Sequence, residues 1–294
     1  MPNVVVVGAY LRNTVVTAGG VEHRLGGIHY NVRTLAALLG SRYVILPISC
    51  VSADLLTEIA ADLGQFGGKI GFEGLMRVSG PAMECELIYD ESGQRERVLR
   101  HRPPQIRALP REGLSQTVAL MVNFVDGDEL ALETLHEIRS DGFAGLLYLD
   151  LHNLVLMQAD LRASSMFSEI IAASNEADFV QMNRVEASAV LGLDDFEPGH
   201  IAREIDRIGL QPKRAVVVTL DKDGVYCRIT AGRPHHYVIP GERVQLKDPT
   251  GCGDIFSASF LNSIMDGIPI GESLVAANKA ASSNGLNINV KTKE

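Results

Sequence analysis

The sequence has few cysteines and no long apolar run. Its four cysteines, Cys50, Cys85, Cys227 and Cys252, lack the paired spacing of zinc or redox sites. Reduced thiols are therefore expected, which is typical of a cytoplasmic protein. The apolar run at residues 4–7 is too short for the core of a signal peptide. No later run approaches the roughly 18 apolar residues of a membrane-spanning helix, so we expect a cytoplasmic protein without a membrane anchor.

Positive charge is also in deficit. The chain has 36 Asp and Glu against 27 Lys and Arg, a formal net charge of −9. This excess argues against general nucleic-acid binding, and an anionic nucleotide would have to be held by local dipoles, a few basic groups and metal ions. The length of 294 residues is enough for one large α/β core with a small appendage.

Several common catalytic signatures are missing. No G-x-G-x-x-G follows the first predicted strand, and residues 67–70 (GGKI) lack both the earlier Gly and the Ser or Thr of a Walker loop. The patterns G-x-S-x-G and H-E-x-x-H do not occur either. These absences argue against a dehydrogenase, a P-loop NTPase, an α/β-hydrolase or a zinc protease.

One glycine-rich stretch near the C-terminal end combines two chemical features. A turn containing Pro249, Gly251 and Gly253 leads into a helical pattern that begins at Asp254. The start of a helix carries unpaired N–H groups and a partial positive charge, which suits a phosphoryl group. A carboxylate there would repel the anion unless it accepts a proton, so we interpret Asp254 as a base and the amides of Gly251, Cys252 and Gly253 as an anion hole. The alternative is an Asp that merely caps a helix.

Three motifs resemble those of the ribokinase-like (PfkB) carbohydrate and nucleoside kinase family. They are, in chain order, two glycines followed by Asn (Gly26, Gly27 and Asn31), N-x-x-E (Asn183 and Glu186), and residues 248–254, DPTGCGD, beside the family signature D-T-x-G-A-G-D. The resemblance covers essentially the whole chain as a single domain, residues 1–294. It implies a mostly parallel α/β sheet with helices on both faces and a small antiparallel β lid that closes over the sugar and often pairs with a second subunit.

The pattern of the residues supports that fold independently. Apolar strands alternate with helices of ten to fifteen residues, which predicts a mostly parallel sheet with ligands at the C-terminal ends of its strands. Residues 11–25 and about 71–101 instead contain short β-type runs, among them 72–78, 83–89 and 95–100, without helices between them. We expect these two segments to form the lid, which would exclude water from a phosphoryl group.

The resemblance further implies ATP-dependent transfer of phosphate to an alcohol group of a sugar or nucleoside, with Asp254 as the base. The residues implied at the acceptor are Asn13, Gly26, Gly27 and Asn31. Those implied along the nucleotide are Asn183, Thr219, Gly224 and Asn278. Glu186 would help to hold Mg²⁺ through water, which suits an ion that needs only one or two carboxylates. Asp248 and Thr250 are implied as a possible K⁺ site, with turn formation as the alternative.

The chain departs from the family pattern at Ser49 and Ser52, where relatives often have Gly, and at three positions of the predicted site. Asn13 stands where sugar kinases commonly have Asp. It could still form hydrogen bonds with two hydroxyl groups of a sugar, but these bonds would not be assisted by charge. Asp221 replaces a Gly, and its carboxylate would disfavour nucleotide phosphates unless it points away or meets Lys222 or a metal. Cys252 replaces Ala; its thiol is either readily ionised at the helix start or simply a small packing group.

These departures leave the acceptor open. A neutral Asn13 with Tyr10 and Tyr30 nearby leaves room for a nucleoside. Three arginines, Arg12, Arg33 and Arg100, would suit a carboxylate or phosphate on the acceptor. The leading interpretation is a sugar kinase with ATP and Mg²⁺, and the alternatives are a nucleoside kinase or a non-catalytic binding protein on the same fold.

Overall fold

The apolar strands of the chain assemble into one large sheet. The computed structural model describes residues 1–17, 20–89, 95–109, 114–157, 160–242 and 249–284. Within these residues the strands of the large sheet are β1 (Asn3–Gly8), β4 (Val44–Val51), β5 (Leu75–Arg77), β8 (Thr117–Asn123), β9 (Leu146–Asp150), β10 (Phe179–Asn183), β11 (Ala215–Thr219), β12 (Val225–Ile229) and β13 (His235–Ile239). Their order is β13-β12-β11-β10-β9-β8-β1-β4-β5.

The pairing confirms the mostly parallel sheet. The seven neighbouring strands β11, β10, β9, β8, β1, β4 and β5 pair in parallel. Strands β12 and β13 add two antiparallel strands at the β11 edge. The C-terminal ends of the parallel strands therefore meet at one edge of the sheet. In register there, Asn123 lies beside Asp150, and Asn183 lies beside Thr219.

A smaller sheet forms the predicted lid. Its strands are β2 (Tyr10–Thr17), β3 (Gly20–Gly27), β6 (Glu84–Tyr89) and β7 (Arg95–Arg100). Their order is β3-β2-β6-β7, with antiparallel pairs at both sides and a parallel pair, β2 with β6, in the middle. The run predicted for the lid at residues 72–78 instead contributes β5, which pairs with residues 49–51 of β4. That part of the predicted lid boundary is wrong, because a β-type run does not reveal which free strand edge it will join.

Helices cover both faces of the large sheet. The described helices are α1 (His29–Leu38), α2 (Ala53–Leu63), α3 (Glu133–Ser140), α4 (Met166–Glu176), α5 (Arg184–Leu191), α6 (Pro198–Arg207), α7 (Cys252–Met265) and α8 (Ile270–Asn284). Alternate residues of β1 enter two separate cores: Val4 and Val6 pack with α1, α2, α7 and α8, whereas Val5 and Val7 pack with α3 to α6. A strand buried on both faces reads as a continuous apolar run, as predicted.

Element boundaries differ from the prediction in a few places. The sequence pattern predicts a helix over residues 128–140, which in the structure begins at Glu133, and another over 162–173, which begins at Met166 after a short 3-10 turn. It also predicts a β-type run over 244–246, which lies outside the described residues. Among the helices of the described residues, none has the length and apolar character needed to cross a membrane.

Candidate active site

A cavity of about 830 Å³ lies where the lid, the strand ends and the start of α7 contribute residues to one surface. Most residues predicted for the site line it: Asn13, Gly27, Asn183, Glu186, Thr219, Gly224, Thr250, Gly251, Cys252, Gly253, Asp254 and Asn278. Gly26 and Asn31 are not among the residues that line it. Asp248 lies outside the described residues. The structure thus brings together motifs that are more than two hundred residues apart in the chain.

The helix α7 begins inside this cavity. Gly251 precedes it with a left-handed φ of 83°, and a Cβ added there would lie 2.8 Å from the ring of Tyr30. Both facts require glycine at this position. Asp254 follows in the first turn, and its side chain is only 9% exposed. The acid and the helix start therefore share one pocket, as the sequence predicted.

The carboxyl group of Asp254 has the properties of a base that works near neutral pH. Burial raises its pKa from the ordinary 3.8 to about 7, against the opposing effects of a hydrogen bond from Asn123 and the charge of Arg97. Asn123 Nδ2 donates that bond to Asp254 Oδ1 at 2.6 Å. A base with a pKa close to the working pH combines a useful ionised fraction with a real affinity for the proton.

Cys252 contributes less to the predicted anion hole than its neighbours. Its amide donates to the carbonyl of Pro249 at 3.1 Å, so this donor closes the turn before the helix. Its thiol lies 3.5 Å from the carbonyl oxygen of Ala281, and burial followed by the charge of Asp254 raises its pKa to about 11. The interpretation as a readily ionised thiol is wrong, because burial and the nearby Asp254 both disfavour the thiolate. The packing interpretation agrees with the structure.

Asn31 supports α7 instead of reaching the cavity. Its side chain is fully buried, and its Nδ2 donates to the carbonyl oxygen of Asp254 at 3.0 Å and to Ser257 Oγ at 2.9 Å. Its Oδ1 accepts a bond from Asn123 Nδ2 at 3.1 Å. The predicted contact with an acceptor is therefore replaced by a bridge between α1, β8 and α7.

Two neighbouring glycines, Gly26 and Gly27, allow close contacts with residues 9–13. A Cβ at Gly26 would lie 2.0 Å from Nδ2 of Asn13, so this glycine makes room for the asparagine although it does not line the cavity itself. Gly27 has a φ of 67°, and a Cβ there would lie 2.0 Å from the carbonyl oxygen of Ala9. Of the two tyrosines named from the sequence, Tyr30 lines the cavity, whereas Tyr10 is fully buried.

The N-x-x-E motif caps a helix and also faces the cavity. Asn183 and Glu186 form a reciprocal capping box at the start of α5, in which Glu186 Oε2 accepts from the Asn183 amide at 2.7 Å. Glu186 is 2% exposed and lines the cavity, and burial raises its pKa to about 7. The motif therefore caps α5 and at the same time places a buried carboxyl group at the cavity.

The sequence reasoning did not name three residues around Asp254: Asp150 and Gln181, which line the cavity, and Asn123, which bonds to Asp254. Gln181 Nε2 donates to Asp150 Oδ2 at 2.7 Å and to the carbonyl oxygen of Gly253 at 3.3 Å, so it ties β9 and β10 to the start of α7. Burial, Glu186 and Asp254 raise the pKa of Asp150 well above its usual range. Their shared signal was their position at the C-terminal ends of predicted strands, but other residues have the same position.

Asp221 lines the cavity just after β11. This residue adopts a left-handed φ of 53°, the backbone conformation for which glycine is ordinarily needed. Its carboxylate lies 3.6 Å from Arg184 Nε, which also binds Asp223. The sequence allowed a carboxylate that points away or that meets Lys222 or a metal; in the structure it is 74% exposed and lies near Arg184. Asn278 also lines the cavity and donates to the carbonyl of Pro240 at 3.1 Å.

The three arginines proposed for an anionic acceptor do not line the cavity. Arg12 and Arg33 pair with carboxylates of α2, and Arg100 pairs with a carboxylate of β6. The arginine that lines the cavity is Arg97, whose Nη2 donates to the carbonyl oxygen of Val125 at 2.8 Å. Arg97 and Arg100 lie on opposite faces of β7, so Arg97 lines the cavity and the predicted Arg100 does not.

Solved structures of sugar and nucleoside kinases share this architecture. The ribokinase from Thermotoga maritima is 20% identical with a TM-score of 0.72, and the match covers 98% of this chain and 94% of that one. The Arabidopsis thaliana ribokinase, solved with ribose and ATP, is 19% identical with a TM-score of 0.75 over 98% and 94%. The Schistosoma mansoni adenosine kinase, solved with 2-fluoroadenosine, is 16% identical with a TM-score of 0.79 over 100% and 98%. These likenesses define the fold as ribokinase-like.

A comparison of the sequence with family models assigns the chain to a family. The model of the pfkB family carbohydrate kinases matches residues 124–288, more than half of the chain. The chain belongs to the pfkB family of carbohydrate kinases. A search among curated protein sequences found no match.

Proposed function

We propose that the protein transfers the terminal phosphoryl group of ATP to an alcohol group of a small molecule, a sugar by preference and a nucleoside as the alternative. Membership of the pfkB family and the ribokinase and adenosine kinase folds support a sugar or nucleoside kinase. The observation that carries the proposal is the buried carboxyl of Asp254 at the start of α7, in the cavity and beside Gly251 and Gly253.

In this mechanism Asp254 accepts the proton of the attacking hydroxyl. Asn123 occupies Oδ1 of the carboxylate, which leaves Oδ2 for the acceptor. The amides of Gly251 and Gly253, with the positive end of α7, stabilise the charge on the transferring phosphoryl group, an effect worth on the order of 10²-fold per donor. The lid strands β2 and β6 contribute residues that cover the reacting groups.

The residues present suit a hydrated Mg²⁺ ion. Glu186 and Asp150 are both buried carboxyls, and each is destabilised in its ionised form by burial and by neighbouring acids. A divalent cation close to both would favour their ionised forms. Within the described residues no group of three or more possible ligands is arranged as a metal cage, so water would complete the coordination. Bound Mg²⁺ would neutralise charge on the phosphates of the nucleotide.

The remaining assignments divide the cavity into two halves. We infer that Thr219, Gly224 and Asn278 contact the nucleotide, since all three line the cavity on the side of Asn183. Asn13 and Gly27 line the lid side and would contact the acceptor. A K⁺ ion at Asp248 and Thr250, a homodimer formed through the lid, and a cytoplasmic location remain proposals.

A non-catalytic binding protein on the same fold is the main competing function. The departures from the family pattern that favour it are Asn13, Asp221, Ser49 and Ser52. The exposed carboxylate of Asp221 would repel a nucleotide, and Arg184, whose Nε lies 3.6 Å away, screens part of its charge. The cavity also keeps both glycines around Asp254.

The experiment that tests the proposal is ADP release from MgATP with a panel of sugars, sugar acids and nucleosides, each with and without K⁺. We expect turnover with at least one sugar. Measured ATP binding without turnover on any acceptor would favour the binding protein. Turnover on nucleosides alone would overturn the preference for sugars.

A further inference from the structure

The face that the lid presents to the cavity is mostly apolar. Leu11, Cys85 and Leu87 line the cavity from β2 and β6. Two polar side chains interrupt this surface, Asn13 on β2 and Arg97 on β7. In the strand register, Asn13 lies opposite Cys85 and Arg97 lies opposite Leu87, so the two polar groups occupy different rows of the lid. A ligand that touches both must extend across its width.

The guanidinium of Arg97 has unused binding capacity. Its one hydrogen bond to the described residues goes from Nη2 to the neutral carbonyl oxygen of Val125, and no salt bridge joins it to a carboxylate among them. Arg12 and Arg100, on the same sheet, both pair with carboxylates. An arginine has five N–H donors in a planar fork that matches a carboxylate or phosphate. Arg97 can therefore offer two parallel donors to an anion in the cavity.

The position of Arg97 favours an anionic ligand over a neutral one. When a ligand fills the cavity, the partly buried guanidinium loses water, and although Asp126, Asp254 and Glu186 interact with its charge, none of them forms a salt bridge with it. A ligand with a carboxylate or phosphate would restore the lost interactions through charge-assisted hydrogen bonds. The other lid residues of the cavity, Leu11, Cys85 and Leu87, cannot do so.

We propose that Arg97 forms an anion subsite in the acceptor half of the cavity, and that the acceptor is a hydroxylated compound with a carboxylate or phosphate monoester as well as its reacting alcohol. This inference rests on the proposed function, because it specifies the acceptor of that reaction. Arg97 also lowers the pKa values of Asp254 and Glu186, so the terminal phosphate of ATP is the rival anion. An anionic group on the acceptor and the terminal phosphate of ATP predict different results in the test below.

The test compares the wild type with Arg97→Gln and Arg97→Lys, using matched probes: D-gluconate with D-glucose, and ribose 5-phosphate with ribose. Affinities are measured by calorimetry without nucleotide, and ADP release is measured with MgATP. We expect the wild type to bind the acidic member of at least one pair more tightly. Arg97→Gln should weaken that binding about 10²-fold and change the neutral partner less than about 3-fold, and Arg97→Lys should recover part of the loss. The matched control is Arg100→Gln, which removes an arginine from the same strand outside the cavity.

Two results would overturn the proposal: a wild type without preference for the acidic probes, or a preference that persists in Arg97→Gln. An equal loss of turnover on acidic and neutral acceptors, together with weaker ATP binding, would assign Arg97 to the donor phosphate and also overturn it. Thermal unfolding of each variant shows whether a loss of binding reflects misfolding. If Arg97→Gln is misfolded, Arg97→Lys replaces it in the comparison. Failure of the proposed function looks different, since acid-selective binding that depends on Arg97 would persist without ADP release.

Discussion

The side-chain nitrogen of Asn123 lies 2.6 Å from Oδ1 of Asp254, and the same nitrogen donates to Asn31 Oδ1 at 3.1 Å. Both of its N–H groups are therefore used, so the amide cannot flip without losing two bonds. A donor held in this orientation favours the ionised carboxylate and directs its other oxygen away from β8. Asn123 is thus a positioning residue for the proposed base.

Asn123→Ala should lower kcat by about tenfold or more and move the acidic limb of the kcat/KM profile to higher pH. The reason is that the bond from Asn123 lowers the pKa of Asp254, and its loss raises that pKa further. The pH–rate profile measures both effects. Asn175→Ala is the matched control, because Asn175 bridges Gly209 and Gln211 far from the cavity. An Asn123→Ala profile that coincides with the wild type would show that Asn123 does not act on the base.

Asp254→Asn should lower kcat by at least about 10²-fold, because the amide cannot accept the hydroxyl proton. ATP should still bind, and calorimetry with MgATP measures this separately from turnover. Asp266→Asn provides the control: this residue follows α7 and pairs with Arg42 at the surface. Near-normal turnover by Asp254→Asn would exclude Asp254 as the base.

The stability of the unliganded protein should also report the ionisation of Asp254. The folded protein binds this proton more tightly than the unfolded chain, since the pKa rises from 3.8 to about 7. Stability from this group is therefore present below about pH 4 and is lost as pH rises to about 7. We expect the Tm of Asp254→Asn to rise relative to that of the wild type between pH 5 and pH 8. The corresponding gain in the free energy of unfolding has an upper limit of about 4 kcal/mol. A Tm difference that is independent of pH would contradict the assigned pKa.

Glu186→Gln should raise the Mg²⁺ concentration needed for half-maximal activity while leaving α5 intact. Gln can replace Glu in a capping box, so the variant changes the charge more than the helix start. Titration of activity with Mg²⁺ at saturating ATP measures the effect, and circular dichroism verifies the fold. The corresponding control is Glu204→Gln, which removes a carboxylate that pairs with Arg207 on α6. Identical Mg²⁺ titrations for Glu186→Gln and the wild type would remove Glu186 from the proposed metal site.

Local sequence signals predicted the elements of the fold well where the pattern was periodic. The apolar periodicity of residues 53–63 predicts a helix, and α2 has the same bounds. The uninterrupted valines of residues 4–7 predict a buried strand, and β1 is buried on both faces. The sequence predicted less well which strands pair with each other: β5 has the pattern of a lid strand, but it joins the large sheet. Hydrogen bonding along a strand edge is not encoded in residue type.

By itself the sequence determined the glycine turn and the acid at the start of α7, and it determined the order of strands and helices that brings such a turn to a sheet edge. These features follow from backbone freedom and apolar periodicity over a few residues. Only the tertiary structure decided that Asn31 bonds to α7, that Arg184 lies beside Asp221, and that Arg97 faces the cavity while Arg100 does not. Each of those outcomes depends on contacts between elements that are far apart in the chain, and their packing orients the side chains.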